Sequence, residues 1–134
     1  MYSDMNRKWI IAIVAFAFGA TGLYNAGLLA SAFARNPFPH SAESVLRGKG
    51  LFERYCVACH GATGRGDGPA AASLPAHMDD LSGLAPPPIF PDGVVAYRIA
   101  HGKDLMPAWQ SVLSEDEIWD LINFVRSLRP PDKG

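Results

Sequence analysis

The sequence predicts an all-α protein: a small helical domain of about 90 residues behind a single membrane-spanning helix. Three observations point there. Residues 9–34 carry no charged side chain. Ser114-Glu115-Asp116-Glu117 is a capping-box signature, followed by apolar residues at helical spacing. Nothing upstream of the chain's two cysteines reads as a strand.

The chain has 134 residues, enough for one compact domain and an appendage. The expected organisation is a cytoplasmic amino terminus at 1–8, a transmembrane segment at 9–30 and a linker at 31–42. The folded domain follows at 43–129 and a tail at 130–134. At about 1.5 Å rise per residue, roughly 20 apolar residues cross a bilayer. Arg7 and Lys8 precede the run, so the positive-inside rule exports everything after it. Ala32-Phe33-Ala34 also fits the cleavage site of a secretory signal, but the uncharged run exceeds the usual signal core of about 7–15 residues. Either reading places the domain outside the cytoplasm. Gly22, Ala26 and Ala30 recur every four residues and could admit another membrane helix; small residues are also common in such helices. Pro37 and Pro39 favour an extended linker that holds the domain a short distance off the membrane.

Within the domain, the first helix is expected over 43–56, with Val45, Leu46, Phe52 and Tyr55 as apolar positions. Four prolines at 85–91 exclude regular structure there. Asp92 can cap a short helix over 93–100, which Gly102 would end. The capping box starts a last helix that runs to about Leu128, its buried stripe formed by Ile118, Leu121, Ile122, Val125 and Leu128. The acidic first turn suits the helix dipole and reads as a solvated cap.

Cys56 and Cys59 are the only cysteines. Two are too few for a disulfide scaffold, and zinc would need two further ligands at matching spacing. The formal net charge of −1 offers no basic patch for nucleic acid. The motif at 56–60 is Cys-Val-Ala-Cys-His, the pattern of covalent c-type haem attachment. Cysteines three apart on a helix share a face, so both sulfurs can reach one haem edge. His60 then serves as the proximal iron ligand. A thioredoxin-like dithiol would need a strand–helix–strand setting. Gly61, Gly64, Gly66 and Gly68 lack the strand and the Lys-Ser/Thr of a phosphate loop; close backbone approach to a haem edge explains them more simply.

The candidates for the sixth iron position are His77, Met78, His101 and Met106. Met106 is the expected ligand, held stiffly in a loop by Pro107. Met78 is the substitute, in a more polar stretch. His101 reads as a helix-end residue and His40 as part of the linker. A His/Met pair raises the haem potential and leaves no open coordination position. Trp109 either shields the haem or fills the core.

These residues resemble class I c-type cytochromes of the short, single-haem bacterial kind, over about 42–129. Gly48 and Phe52 stand eight and four residues before Cys56, where that family has a Gly and an aromatic. Leu121-Ile122-Asn123-Phe124 resembles the family's last helix, whose aromatic packs on that Gly. The resemblance implies a class I cytochrome c fold around one haem c. It also implies a backbone carbonyl near Pro69 that accepts the His60 imidazole N–H.

The function expected is one-electron transfer, not enzymatic chemistry, at the outer face of a bacterial cytoplasmic membrane. A quinol-oxidising complex or a dehydrogenase would supply electrons. An oxidase, a reductase or a soluble cytochrome would take them. Other transmembrane subunits are possible neighbours. The alternatives are a haem enzyme or ligand sensor with a displaceable Met106, and a cleaved periplasmic shuttle. So small a domain is expected to need its haem to fold.

Overall fold

The computed structural model describes residues 2–38 and 40–130, with 2–8 described by backbone alone. Met1, Pro39 and residues 131–134, most of the expected tail, lie outside the described residues. Among the described residues five α-helices run in order: α1 (Tyr2–Ser31), α2 (Ala42–Tyr55), α3 (Val57–His60), α4 (Asp92–His101) and α5 (Glu115–Ser127). Two single 3-10 turns, Ala71–Ser73 and Leu81–Gly83, punctuate the long irregular stretch between α3 and α4. Among the described residues no strand forms.

The central packing is α2 on α5. The Ser41 side chain caps α2 by accepting from Ser44 N. The buried positions of α2 are Ser44, Gly48 and Phe52, spaced four apart on one face. Gly48 marks the crossing. A Cβ there would stand against the Asp120 carbonyl and 2.9 Å from Phe124 Cβ. Phe52 is 1% exposed and meets Phe124 at a ring-centroid distance of 5.1 Å. Burying a side chain of this kind contributes about 1.5–3 kcal/mol.

The capping box of α5 is in place: Glu117 N donates to Ser114 Oγ and Ser114 N donates to Glu117 Oε2. Burial along α5 is wider than a stripe. It includes Trp119, Asp120, Asn123 and Phe124 beside Ile118, Leu121, Ile122 and Val125. The helix is enclosed by α2, α4 and the segment before α2. The buried polar groups are satisfied across those contacts. Asp120 accepts from Arg47 Nε at 2.7 Å and from Ser44 Oγ, and Asn123 Nδ2 donates to Ser44 Oγ at 2.7 Å. Asp92 is the first residue of α4 rather than its cap, because its carboxylate is committed to Arg126 Nε at 2.8 Å.

The segment at 31–42 differs from a stand-off spacer. Asn36 Nδ2 donates to Asn123 Oδ1 at 2.9 Å, His40 Nε2 lies 3.0 Å from the Asn123 carbonyl, and Phe38 packs on the core. The last turns of α1 lie against α4: Tyr24 meets Tyr97 edge-on at 5.2 Å, and Gly27 faces the same ring. The face used is Tyr24, Gly27 and Ser31, at steps of three and four. Gly22, Ala26 and Ala30 stay exposed.

Candidate haem site

Cys56 sits at the break between α2 and α3, with φ −115° and ψ −31°. Cys59 and His60 follow inside α3, so one short helical turn presents all three motif side chains. The loop beyond is laid back onto α3 by its own amides: Gly68 N donates to Cys59 O at 3.3 Å and Ala70 N to Ala58 O at 2.8 Å. The loop glycines serve this close return on protein backbone. Gly68 faces the Val57 and Ala58 carbonyls, and Gly66, at φ +77°, faces Met78. Pro69 bulges outward between the two amide contacts and is exposed. Among the described residues His60 Nδ1 is buried without a hydrogen-bond partner.

Two adjoining cavities, about 410 and 280 Å³, open on the motif and share Cys56, His60, Asp79, Arg98, Met106 and Trp109 on their walls. They are two halves of one slot, of the size of a cofactor site. Leu81, Leu84, Phe90, Val95, Ile99, Leu121 and Val125 make one half apolar. Cys59 borders the other half, with His77, Met78 and Leu105. Met106 therefore borders both halves with His60, whereas Met78, half-buried, borders one. His101 and His40 border neither. His101 stacks on Tyr97 at 4.0 Å.

The Met106 loop is held at both ends. Lys103 N donates to Met106 O at 3.1 Å and Met106 N to Lys103 O at 2.8 Å; Trp109 N donates to Ile99 O at 3.1 Å. The Trp109 ring packs on Tyr55 at 5.3 Å while lining the slot, so its core and site roles coincide.

The electrostatics suit metal ligation rather than dithiol chemistry. Burial, then the neighbouring Cys59, pushes the Cys56 thiol up to about 11, away from the depressed values of reactive cysteines. Burial holds the His60 imidazole below its ordinary value, against the opposing charge of Asp79, which favours the neutral ring that binds iron. Among the described residues no three His, Cys, Asp or Glu side chains gather as a separate metal site.

Two arginines complete the slot, and sequence reading missed both. Arg126 donates to Ala85 O at 2.7 Å and Phe90 O at 2.5 Å, fastening the proline-rich wall to α5. Arg98 lies with its guanidinium 5.3 Å over the Phe90 ring, and its Nε is buried without a partner among the described residues. A buried guanidinium N–H calls for an acceptor, and a carboxylate makes the strongest one. A haem fits these residues: thiols and imidazole at one edge, apolar walls for the macrocycle, and a cation for a propionate. The only sequence signal for Arg98 was an arginine one turn before the Gly102 helix stop.

A family model described as cytochrome C oxidase, cbb3-type, subunit III matches residues 43–125. The chain belongs to the class I c-type cytochromes. It is 32% identical over 90 residues to cytochrome c6 of Alaria esculenta, covering 67% of this chain and 95% of that one. Cytochrome c6 of Tetradesmus obliquus is 33% identical over 94 residues, covering 69% and 99%. Among solved structures it is similar to the Kuenenia stuttgartiensis reducing HAO-like protein complex, with TM-score 0.60 and 30% identity over 70% of this chain. The match spans 47% of that chain, about half its length. This cytochrome thus carries one haem c, covalently attached through Cys56 and Cys59, and transfers electrons through it.

Proposed function

We propose that this cytochrome is a membrane-anchored one-electron carrier of a respiratory chain, with its haem domain on the periplasmic side. His60 and Met106 would fill the two axial positions of the iron. The observation that carries the reading is α1. Its apolar stretch Trp9–Ser31 has 23 residues and mean hydropathy 1.6, and none of its most apolar part is buried. Side chains such as Trp9, Ile13, Phe16 and Phe18 stand exposed, and lipid would cover them.

The haem supplies a one-electron iron couple. The chain's residues fix its setting. His60 and Met106, both on the shared wall of the slot, would hold the iron between them and leave no open position for a substrate. The apolar half would keep water from the bound haem and so lower the reorganisation needed on electron transfer. Arg98 would hold a propionate and favour the reduced state by its charge. The edge near Cys59, Leu105 and Pro107 would be the contact for redox partners: a quinol-oxidising complex or dehydrogenase as donor, and an oxidase, reductase or soluble cytochrome as acceptor. The matching family description, a subunit of an oxidase, supports stable residence in a larger complex over free diffusion.

Fractionation followed by purification in mild detergent tests this. The expected result is haem-bearing full-length chain in alkali-washed membranes, co-purifying with other redox subunits. Recovery of a chain shortened at about residue 34 in the soluble periplasmic fraction would overturn the anchor. A full-length chain that purifies alone would overturn the subunit role.

A further inference from the structure

We propose that Tyr24, on the apolar helix α1, is a positioning residue for the loop that presents Met106. The inference rests on the reading of Met106 as axial ligand. Tyr24 Oη donates to the Gly102 carbonyl at 3.2 Å. That oxygen belongs to the planar peptide unit joining Gly102 to Lys103. The other end of the same unit, Lys103 N–H, donates to Met106 O at 3.1 Å. One rigid peptide therefore lies between the tyrosine hydroxyl and the backbone of Met106.

The surroundings make this a fitted contact. Gly102 has φ +70°, and a Cβ there would stand 2.8 Å from Ala108 N, so the loop closes directly on it. The Tyr24 ring is placed by Tyr97 of α4, edge-on at 5.2 Å. Gly27 leaves room for Tyr97, since its Cβ would lie 2.7 Å from that ring. Gly93, at the other end of α4, faces the Ser31 carbonyl, and its Cβ would lie 2.9 Å from Ala34 Cβ. Two glycines on opposite partners thus seat α1 on α4, and Tyr24 reaches past them to the loop. The helix that anchors the domain also steadies the axial-ligand loop.

The test is the rate at which imidazole enters the ferric iron of the full-length holoprotein in detergent, followed by loss of the weak red-end band of methionine ligation. Tyr24→Phe keeps the ring and its contact with Tyr97 but removes the donor. Entry is expected to quicken about fivefold, the effect of one ordinary hydrogen bond on loop opening. Thr21→Ala, one turn earlier on an exposed part of α1, should leave the rate unchanged. Equal acceleration in both variants would overturn the inference, since a general loosening of α1 would then suffice. Met106→Ala separates the two layers. If it keeps the red-end band, the ligand reading and this inference both fall. If it loses the band while Tyr24→Phe matches the parent rate, this inference alone falls.

Discussion

Gly48→Ala adds one methyl group at the crossing of α2 and α5, and two opposing effects decide its outcome. Helix propensity favours the change by about 1 kcal/mol. Packing opposes it. The new Cβ would lie 2.6 Å from the Asp120 carbonyl carbon and 2.9 Å from Phe124 Cβ, and closer still to the Asp120 oxygen. Ordinary carbon contacts need about 3.5–4.0 Å, so the helices must part by about 1 Å. The nearest obstacle is backbone, which cannot rotate aside. A gap of that size forfeits about a quarter to a half of each dispersion contact it opens. Overpacking of this kind typically costs about 1–3 kcal/mol, and a rigid obstacle places it at the upper end. The net loss is about 2 kcal/mol, which for a domain this small lowers Tm by about 8–16 °C. Thermal melts of the holoprotein followed at 222 nm measure it. An unchanged or raised Tm would mean that propensity outweighs packing and that the crossing is looser than described.

Other outcomes follow from the same contacts. Burial pushes the Asp120 carboxyl up, but hydrogen bonds from Arg47 and Ser44 and the Arg47 charge together hold it below its ordinary value. The native state then binds that proton less readily than the unfolded chain, so the contribution is present above about pH 4 and fades as pH falls through the depressed native value. Denaturation midpoints from pH 3 to 7 should show Asp120→Asn less stable by about 1–3 kcal/mol at neutral pH, with the difference shrinking at the acid end. Arg98→Leu removes a positive charge from the slot and should lower the reduction potential in an equilibrium redox titration, with the red-end band retained. A chain with Cys56→Ala and Cys59→Ala, made without haem, should lack a cooperative melt by circular dichroism. Without haem the apolar side chains that line the slot, Leu81, Leu84, Phe90, Val95, Ile99, Leu121 and Val125 among them, lose the group they pack on, and so small a domain has little other core.

What was legible in the sequence was what depends on local chemistry. The capping box placed α5 within a residue of its observed start, because Ser114 and Glu117 satisfy each other's amides without help from elsewhere. The crossing of α5 on Gly48 was legible through the family resemblance, which pairs an aromatic of the last helix with that glycine. The haem motif announced itself because two sulfurs and an imidazole must share one helical turn. What stayed hidden depends on distant partners. Asp92 has the residue type of a cap, but Arg126, 34 positions away, claims its carboxylate. The burial of Asp120 and Asn123 went unread, because Ser44, Arg47 and Asn36 satisfy them from other segments. The segment at 31–42 looked like a spacer because its prolines exclude helix; its docking on α5 rests on single side chains that no periodicity reveals. Arg98 offers only its place one turn before Gly102, and what marks it is its buried Nε beside the slot.

The claim beneath all of this is a porphyrin held by two thioether bonds, and the mass of the acid-denatured mature polypeptide tests it most directly. The expected value exceeds that of the amino-acid chain by one haem, and the excess should be confined to a peptide spanning Cys56 to His60. A polypeptide whose mass is accounted for by its residues alone, with both thiols open to alkylation, would contradict it.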